Sequence, residues 1–513
     1  MNREMSKTLV FVAVAVVMIG AAYFTHADRS VTSSAFDDQG QKFFPEFTDP
    51  NACTTLEVVD YDPATADILP FKVTLKNGKW TIPSHYDYPA DAKQRLVDTA
   101  SGVLDLHKDS IRSDRTEDHA DFGVIDPLDT KATASLKGIG KKVTLRDASD
   151  NVLAEFIIGQ PVKDHPEQRY VRVPGQKRTY GVNVKVDLST RFADWIETNL
   201  LKLDASKVHR VVIDHKKFDP DTGRLIPGEV VTLTRKDASS PWALEGMPEG
   251  KETNTETLSA LTTALADLKI AGIRPKPEGL TGDLKEAPGE VKPTTRQALL
   301  SLVAKGFYPT KQGLLSNQGE VTVSTDEGVV YTLRYGEAFF GAGNELSSGE
   351  TKSAEAEKGK DATKDKPPGA TEGRYLFATA AFDPSLIPPP KPPTGDAAFP
   401  DDPFHYDEGD SKILVESQAE KDRVAALQAE QDKVIADGQK KAKELSDRFA
   451  PWYYVTPNEG FRAIVLDSAS LIRDKGSKPA GPAGGMGLPG GLGLPEGLNF
   501  PGGMGGGRPI NPH

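Results

Sequence analysis

One order of segments occurs twice along the chain, and this repetition restricts the folds open to it. In each copy a stretch of alternating apolar and polar residues ends on a tryptophan, VTLKNGKW at Trp80 and VTLTRKDASSPW at Trp242, and an amphipathic helical pattern follows. Later segments also correspond: KKVTLRDASDNVLAEFIIGQP matches GEVTVSTDEGVVYTLRYGEA, and QRYVRVPG matches GRYLFATA. The pattern predicts an α+β fold made of two tandem repeats of one unit, each an antiparallel sheet with a helix.

The repeats and the composition between them divide the 513 residues into five parts. A polar, turn-rich spacer leads into the first unit, and a tail dominated by Gly, Pro and Met, which cannot bury a core, follows the second. The predicted parts are a cytoplasmic stub and membrane anchor at 1–27, a spacer at 28–53, a first α+β unit at 54–205, a second α+β unit at 206–473 and a disordered tail at 474–513.

Three insertions lengthen the second unit. Residues 345–370, rich in Lys, Glu, Ala and Gly, predict a disordered loop, and the proline-rich residues 384–403 predict an extended stretch. Residues 411–449 predict a charged helix. Its thin apolar stripe is compatible with a short coiled-coil arm or with a helix lying on its own domain. The stripe consists of Val424, Leu427, Val434, Leu445 and Phe449.

The N-terminus carries an uncharged apolar run from Thr8 to Thr25, preceded by Arg3 and Lys7. As a helix, its roughly 18 residues would extend about 27 Å, which is just enough to cross the bilayer core. The preceding basic residues place the N-terminus in the cytoplasm and the rest of the chain outside it. A cleaved signal peptide is the alternative, because THA before Asp28 has the small residues of a cleavage site. We therefore expect a single-pass protein of the bacterial inner membrane.

Apolar spacing predicts further helices in both units. In the first unit one helix carries Leu96, Ala100, Val103, Leu104 and His107 on one face, and a second closes the unit. The stripe of the second is Phe192, Trp195, Ile196, Leu200 and Leu203. In the second unit a helix from about Thr255 to Leu268 is expected to begin with a capping box at Thr253–Glu256. Gly123 and Gly306 are expected to end equivalent segments as helix C-caps.

No constellation of residues predicts catalysis, a cofactor or a metal site. The stretch FDPDTG, Phe218 to Gly223, begins like a calcium loop but lacks the glycine and the closing glutamate, so we expect a loop that connects two strands. The single cysteine, Cys53, excludes an intramolecular disulfide and is expected to be a buried thiol. The net charge of −12 argues against nucleic acid as a partner.

Aromatic residues recur at equivalent places in the two units and are the remaining candidates for a binding site. The pairs are Trp80 with Trp242, Tyr170 with Tyr375, and Tyr180 with Tyr453. Recurrence is expected of residues that pack a helix on a sheet, because both copies need them. The alternative is an exposed platform that binds a ligand through Trp80, Trp242, Tyr170 and Tyr375.

The anchor, the V-x-L-x-x-x-x-W pattern and the segments HADFGVIDP, FIIGQ, QRYVRV and FADWIETNLLKLD resemble the bacterial family DUF4340. The resemblance covers residues 54–275 well and the rest to about 473 more loosely, whereas the charged helix and the Gly/Pro/Met tail depart from the family pattern. The family has no assigned activity, so no functional residue is carried over. Members resemble components encoded beside ABC-transporter and gliding-type auxiliary proteins, which implies an accessory role in the cell envelope.

These observations together predict a non-enzymatic, membrane-anchored envelope protein. Its expected role is that of a scaffold or transporter accessory acting through protein–protein contacts, possible partners being transporter subunits. One alternative is a module that binds an envelope polymer or lipid in a groove between the two units, lined by the repeated aromatic residues. The other is an exported hydrolase, which requires a cleft with converging titratable groups.

Overall fold

The computed structural model describes residues 38–476 except for internal gaps at 63–66, 130–136, 187, 220–221, 278–279, 281–283, 285–294, 311–312, 350–369 and 390–417. The predicted anchor at Thr8–Thr25 and the tail from residue 477 onward lie outside this part of the chain. Among the described helices, none combines the length and the apolar composition needed to cross a membrane.

A nine-stranded antiparallel sheet forms the first unit. Its neighbours follow the order β4-β3-β2-β1-β6-β7-β8-β9-β5, so the first strand lies inside the sheet. The strands are β1 (Thr55–Asp62), β2 (Asp67–Lys76), β3 (Lys79–Ile82), β4 (Tyr88–Pro89), β5 (Ser110–Ser113), β6 (Lys141–Arg146), β7 (Val152–Val162), β8 (His165–Arg172) and β9 (Thr179–Val182).

An eight-stranded antiparallel sheet forms the second unit in the order β14-β13-β10-β19-β20-β21-β22-β16. Strand by strand, this is the order of the first sheet from β3 to β5. Its members are β10 (Val208–Asp214), β13 (Val230–Thr234), β14 (Ala243–Leu244), β16 (Gly272–Pro275), β19 (Glu320–Thr325), β20 (Val329–Gly341), β21 (Thr371–Phe382) and β22 (Trp452–Pro457). Three two-stranded ladders join β11 (Lys217–Asp219) to β12 (Arg224–Ile226), β15 (Lys251–Thr253) to β23 (Ile472–Asp474), and β17 (Phe307–Thr310) to β18 (Gly313–Ser316).

The strand registers correspond as well as the strand order. Thr81 lies opposite Thr74 in the first sheet, and Ala243 lies opposite Thr234 in the second, so the preceding tryptophans hold equivalent positions. The pairing of Tyr180 with Tyr453, however, is wrong by one residue. Tyr180 lies opposite Val171, and the corresponding partner of Leu376 is Tyr454. Since side chains alternate between the faces of a strand, this shift places Tyr453 on the opposite face.

Seven α-helices occur in the described residues, and two of them cover the sheets as predicted. The helix α1 (Lys93–Leu104) buries Leu96, Ala100 and Val103, and α3 (Thr255–Ala266) buries Leu258, Leu261 and Leu265. The cap of α3 is Asn254, whose side chain accepts from the amides of Glu256 and Thr257, in place of the predicted capping box at Thr253. The helices are α1 (Lys93–Leu104), α2 (His119–Phe122), α3 (Thr255–Ala266), α4 (Arg296–Ala304), α5 (Gly343–Ser347), α6 (Gln418–Phe449) and α7 (Asn458–Ile464).

The stretch that was predicted as the closing helix of the first unit is not a helix beyond one 3-10 turn at Phe192–Trp195. The apolar residues of its stripe are buried, but Leu201 beside Leu200 is buried as well, which a one-faced helix does not explain. The backbone bonds to the second unit instead. Leu200 N donates to Leu268 O at 2.8 Å, and Ile270 N donates to Thr198 O at 2.8 Å. Contacts with the second unit therefore override the helical periodicity.

The described part of the predicted spacer, residues 38–53, belongs to the first unit; we call it the N-terminal strap. Phe43 and Phe47 are buried in the main core, and the Phe43 ring meets Tyr180 edge-on at 5.2 Å. The Asp38 carboxylate accepts a hydrogen bond from the Tyr180 hydroxyl. The polar composition of the strap predicted a spacer, but two buried phenylalanines tie it to the sheet.

The insertions of the second unit are more ordered at their edges than predicted. Glu345 lies in α5, and Ser347 and Ser348 after it are buried, whereas residues 350–369 lie outside the described part. Pro384–Leu386 forms a 3-10 turn at the start of the proline-rich stretch. The FDPDTG stretch joins β11 to β12 in a hairpin, as expected of a loop that connects strands.

The long helix α6 lies on its own sheet only along its C-terminal part. Ala442, Leu445 and Phe449 are buried in the main core. At Gly438 the helix passes so close to the β19–β20 turn that a Cβ atom would lie 2.2 Å from Glu327 O. Farther toward the N-terminus, Val424 is 59% exposed and Val434 is 37% exposed. No helix of the described chain pairs with this part, so the coiled-coil alternative finds no support here.

Candidate functional site

The four aromatic residues predicted as binding candidates are half-buried. Trp80 on β3, next to the edge strand β4, and Trp242, directly before the edge strand β14, pack against the main core. The Arg235 guanidinium lies 4.8 Å from the Trp242 ring. Tyr170 stacks on Phe122 with ring centroids 4.2 Å apart. Tyr375 stacks on Phe339 at 4.8 Å.

Tyr170 and Tyr375 are each contacted by a residue at the same position of their unit, but the two contacting residues differ in type. Phe122 and Lys305 stand directly before the equivalent glycines 123 and 306. The Phe122 ring stacks on the Tyr170 ring, and the Lys305 ammonium lies 5.7 Å from the Tyr375 ring. A stacked ring pair in the first unit thus corresponds to a cation–π contact in the second.

Within each sheet the structure separates the tryptophan from the tyrosine. Within each sheet the strand of the tryptophan and that of the tyrosine, β3 and β8 or β14 and β21, are five neighbours apart. At about 4.8 Å per neighbour this corresponds to about 24 Å. Their role as binding residues stays a prediction.

Two open clefts lie on the first unit. The first has a volume of about 500 Å³ and is strongly charged. Burial alone would raise the pKa of Asp194, but hydrogen bonds from Ser189 and Arg191 outweigh it and hold that pKa below its ordinary value. These groups are thus engaged in holding the loop before Trp195. The lining residues are Asp91, Gln94, Arg95, Asp98, Thr99, Lys185 and Asp194.

The second cleft has a volume of about 550 Å³ and combines an apolar floor with a charged rim. Ile158, Val184 and Val186 contribute apolar lining, while Lys141 and Arg169 carry positive charge. Lys141 pairs with Asp60 at 2.7 Å. Its size and mixed lining are those of a site that takes a side chain or small ligand.

His85 lies buried where the two units meet. Its Nε2 is 2.9 Å from Ser347 Oγ of the second unit, and its ring stacks on Phe192 at 4.2 Å. The Tyr86 hydroxyl donates a hydrogen bond to Ser348 O of the second unit. Burial, assisted by the nearby Arg274 charge, lowers the pKa of His85 to about 4. The native contact therefore holds a neutral imidazole.

We expect His85 to make the stability of the protein depend on pH. The unfolded residue titrates near pH 6.5 and the folded one near 4, so the stability present above pH 6.5 is lost as the pH falls toward 4. At about pH 5 the loss amounts to about 2 kcal/mol. Urea unfolding of the wild type and His85→Gln at about pH 7.5 and 5 measures it. An equal loss in both proteins would contradict the assignment.

Cys53 is a buried thiol, as the sequence predicted. The Cys53 thiol is buried and donates to Thr55 O, and burial raises its pKa to about 11, as expected of an unreactive thiol. Within the same part of the chain, no group of three or more His, Cys, Asp or Glu side chains could hold a metal ion.

Residues 80–283 match the model of DUF4340, a domain of unknown function. The chain carries a DUF4340 domain. The DUF4340 match begins at Trp80 and ends beyond β16, so it contains both tryptophans and crosses from the first sheet into the second. It also contains the second cleft, whereas α6 and α7 lie outside it. No curated protein and no solved structure matches the chain.

Sequence reasoning missed both clefts and His85. The second cleft is lined by residues from β6, β7, β8 and the segment after β9, which are ordinary strand residues when read singly. The available signal was a difference between the copies: Val184 stands four residues after Tyr180, and Asn458 stands four residues after Tyr454.

Proposed function

We propose that the chain is a membrane-anchored protein of the bacterial envelope that acts through protein–protein contacts, as a scaffold or as an accessory to an ABC transporter. It consists of two tandem copies of one α+β unit, held outside the cytoplasm by the apolar run at Thr8–Thr25. The matched strand orders and registers support the duplication. The basic residues before the apolar run support the orientation.

The exposed apolar stripe of helix α6 is the main support for this proposal. The helix belongs to an insertion of the second unit, and its C-terminal part is fixed by the buried Leu445 and Phe449 and by an ion pair between Lys441 and Glu327. Its N-terminal part continues the same stripe into solvent with Val424 and Val434. An arm held rigidly at one end with exposed apolar residues at the other suits an adaptor that presents a helix face to another protein.

A variant of the arm tests the function. Replacing Val424, Leu427 and Val434 together by aspartate is expected to reduce the recovery of partner proteins at least about ten-fold, because charges on the stripe oppose apolar contact. The matched control places the same three charges at Ala425, Ala429 and Ala436, which are exposed on the same helix. Photo-crosslinking at position 427 in intact cells, with position 429 as reference, followed by mild detergent extraction, gives the readout. Recovery of the wild type as a lone monomer would overturn the proposal.

A further inference from the structure

The second cleft of the first unit occupies a position that the second unit fills with its own chain. Arg169 on β8 lies opposite Pro161 and Val182, and Arg374 on β21 lies opposite Ala338 and Thr456. These neighbours correspond strand for strand, so Arg169 and Arg374 are equivalent.

The floor of the cleft is equivalent in the same way. Ile158 lies opposite Val171 in the first sheet, and Tyr335 lies opposite Leu376 in the second. Because Val171 and Leu376 pair with the equivalent Tyr180 and Tyr454, Ile158 takes the place of Tyr335. A smaller side chain thus stands where the second unit has a fully buried aromatic ring.

In the second unit the helix α7 fills this position. The Arg374 guanidinium lies 3.8 Å from the centre of the Phe461 ring, and its Nε donates to Asn458 Oδ1 at 2.6 Å. The Phe461 ring also meets the Tyr335 ring edge-on, with the ring centroids 5.0 Å apart. The Arg374 guanidinium therefore contacts both an aromatic ring and an oxygen acceptor.

In the first unit both of these partners are missing from the described residues. The chain after β9 has no helix there, and Val184 replaces Asn458, so the acceptor is lost. The Arg169 side chain is exposed at the rim, and its guanidinium has no hydrogen bond, ion pair or ring contact within the described part of the chain. What remains is a cleft of about 550 Å³ over Ile158, with one unengaged planar cation.

We propose that this cleft binds a peptide segment of a partner protein through an aromatic side chain and a nearby carboxylate or amide oxygen. The ring stacks on Arg169 and rests on Ile158, as Phe461 does on Arg374 and Tyr335, and the oxygen accepts from the guanidinium. Lys141 on the rim is already paired with Asp60, and Glu167 also lies in the lining, so Arg169 is the cation that recognises the oxygen of the segment. The inference rests on the proposed function and names the chemistry of the partner.

The duplicated unit supplies the probe for the test. A fluorescein-labelled peptide with the sequence PNEGFRAIVL, residues 457–466 of this chain, is titrated into the full chain in detergent and followed by anisotropy. We expect it to bind at least about ten-fold more tightly than the same peptide with alanine for phenylalanine, since stacking on a cation and apolar burial are both lost.

Variants of the protein locate the binding. Arg169→Ala is expected to weaken binding of the phenylalanine peptide at least about ten-fold, and Ile158→Trp, which fills the floor, should abolish it. Arg224→Ala, an exposed arginine on the hairpin of the second unit, serves as the matched control and should leave binding unchanged. Thermal unfolding confirms that each variant is folded. Equal binding of the two peptides, or full binding by folded Arg169→Ala, overturns the proposal.

The same variants separate this inference from the proposed function. If Arg169→Ala and Ile158→Trp still crosslink the same partners through position 427, with unchanged yield, the cleft does not bind them and the adaptor function stands. If the wild type yields no partner, the function itself is wrong. Loss of the partners with both cleft variants, together with the peptide results, supports the assignment.

Discussion

Replacing Trp195 by alanine is expected to reduce the free energy of unfolding by about 4 kcal/mol. Its side chain is fully buried, its ring lies 5.7 Å from Phe71, and the Arg95 guanidinium lies 4.9 Å above it. Its indole Nε1–H donates to Ser189 O at 2.9 Å. Because the surrounding strands are held by their ladders, the cavity left by alanine cannot collapse, and the loss includes both transfer and cavity contributions.

The control for this prediction is Trp80→Ala. Trp80 is only half-buried, on the strand next to the edge of the first sheet, so alanine there is expected to cost about 1 to 2 kcal/mol. Urea unfolding of both variants, with the change followed by circular dichroism, gives the two values. Equal losses would mean that the repeated Trp80 contributes as much to the core as the unrepeated Trp195, contrary to the structure.

Alanine at Gly159 or Gly336 is expected to destabilise the protein by about 3 kcal/mol in each case. These equivalent glycines allow a strand to pass against the end of a preceding helical segment. A Cβ atom at Gly159 would lie 2.2 Å from Phe122 O, and one at Gly336 would lie 2.2 Å from Lys305 O. Both obstacles are backbone atoms, so relief requires a shift of the strand or of the segment itself.

The matched control is Gly460→Ala in α7, where the new Cβ would meet only the tip of Leu268, at 3.3 Å. A small displacement of that side chain suffices, and alanine favours the helix, so we expect a change within about 1 kcal/mol. Thermal unfolding of the three variants compares them directly. A large loss at only one of Gly159 and Gly336 would show that the two units do not share this constraint.

Much of the fold follows from the sequence because the two copies reinforce one another. The alternation around Trp80 and Trp242 predicts two strands before a helix, and β2, β3 and α1 correspond to β13, β14 and α3. Each ambiguous segment could be compared with its counterpart in the other unit. A hydrophobic pattern that occurs in both copies reflects the common fold rather than chance.

The sequence-based predictions were wrong where contacts between residues distant in the sequence determine the local structure. The stripe from Phe192 to Leu203 has helical spacing, yet its backbone is bonded to residues near Leu268. Tyr453 and Tyr454 are adjacent, and only the register with Leu376 shows which of them is equivalent to Tyr180. Neither the bonding partner nor the register is contained in a local pattern.

The candidate cleft was unpredictable for a further reason. The cleft exists because the first unit lacks the helix that fills the equivalent position in the second unit. Only a comparison of the two units in three dimensions shows that Val184 stands where Asn458 accepts from Arg374. The exposed Arg169 by itself is an ordinary surface residue in sequence.

The N-terminal strap has a mechanical consequence. In the second unit Tyr454 is held by Phe449 and by Arg448 O of α6, and in the first unit Tyr180 is held in the same way by Phe43 and Asp38 of the strap. About a dozen residues separate the end of the apolar run at Thr25 from Asp38, so the chain between them can reach at most about 40 Å. An anchor embedded in a bilayer would keep the first sheet close to the membrane surface. Tension on such an anchor would act on the strap before the rest of the sheet, because Asp38 and its hydrogen bond from Tyr180 lie nearest to the anchor along the described chain.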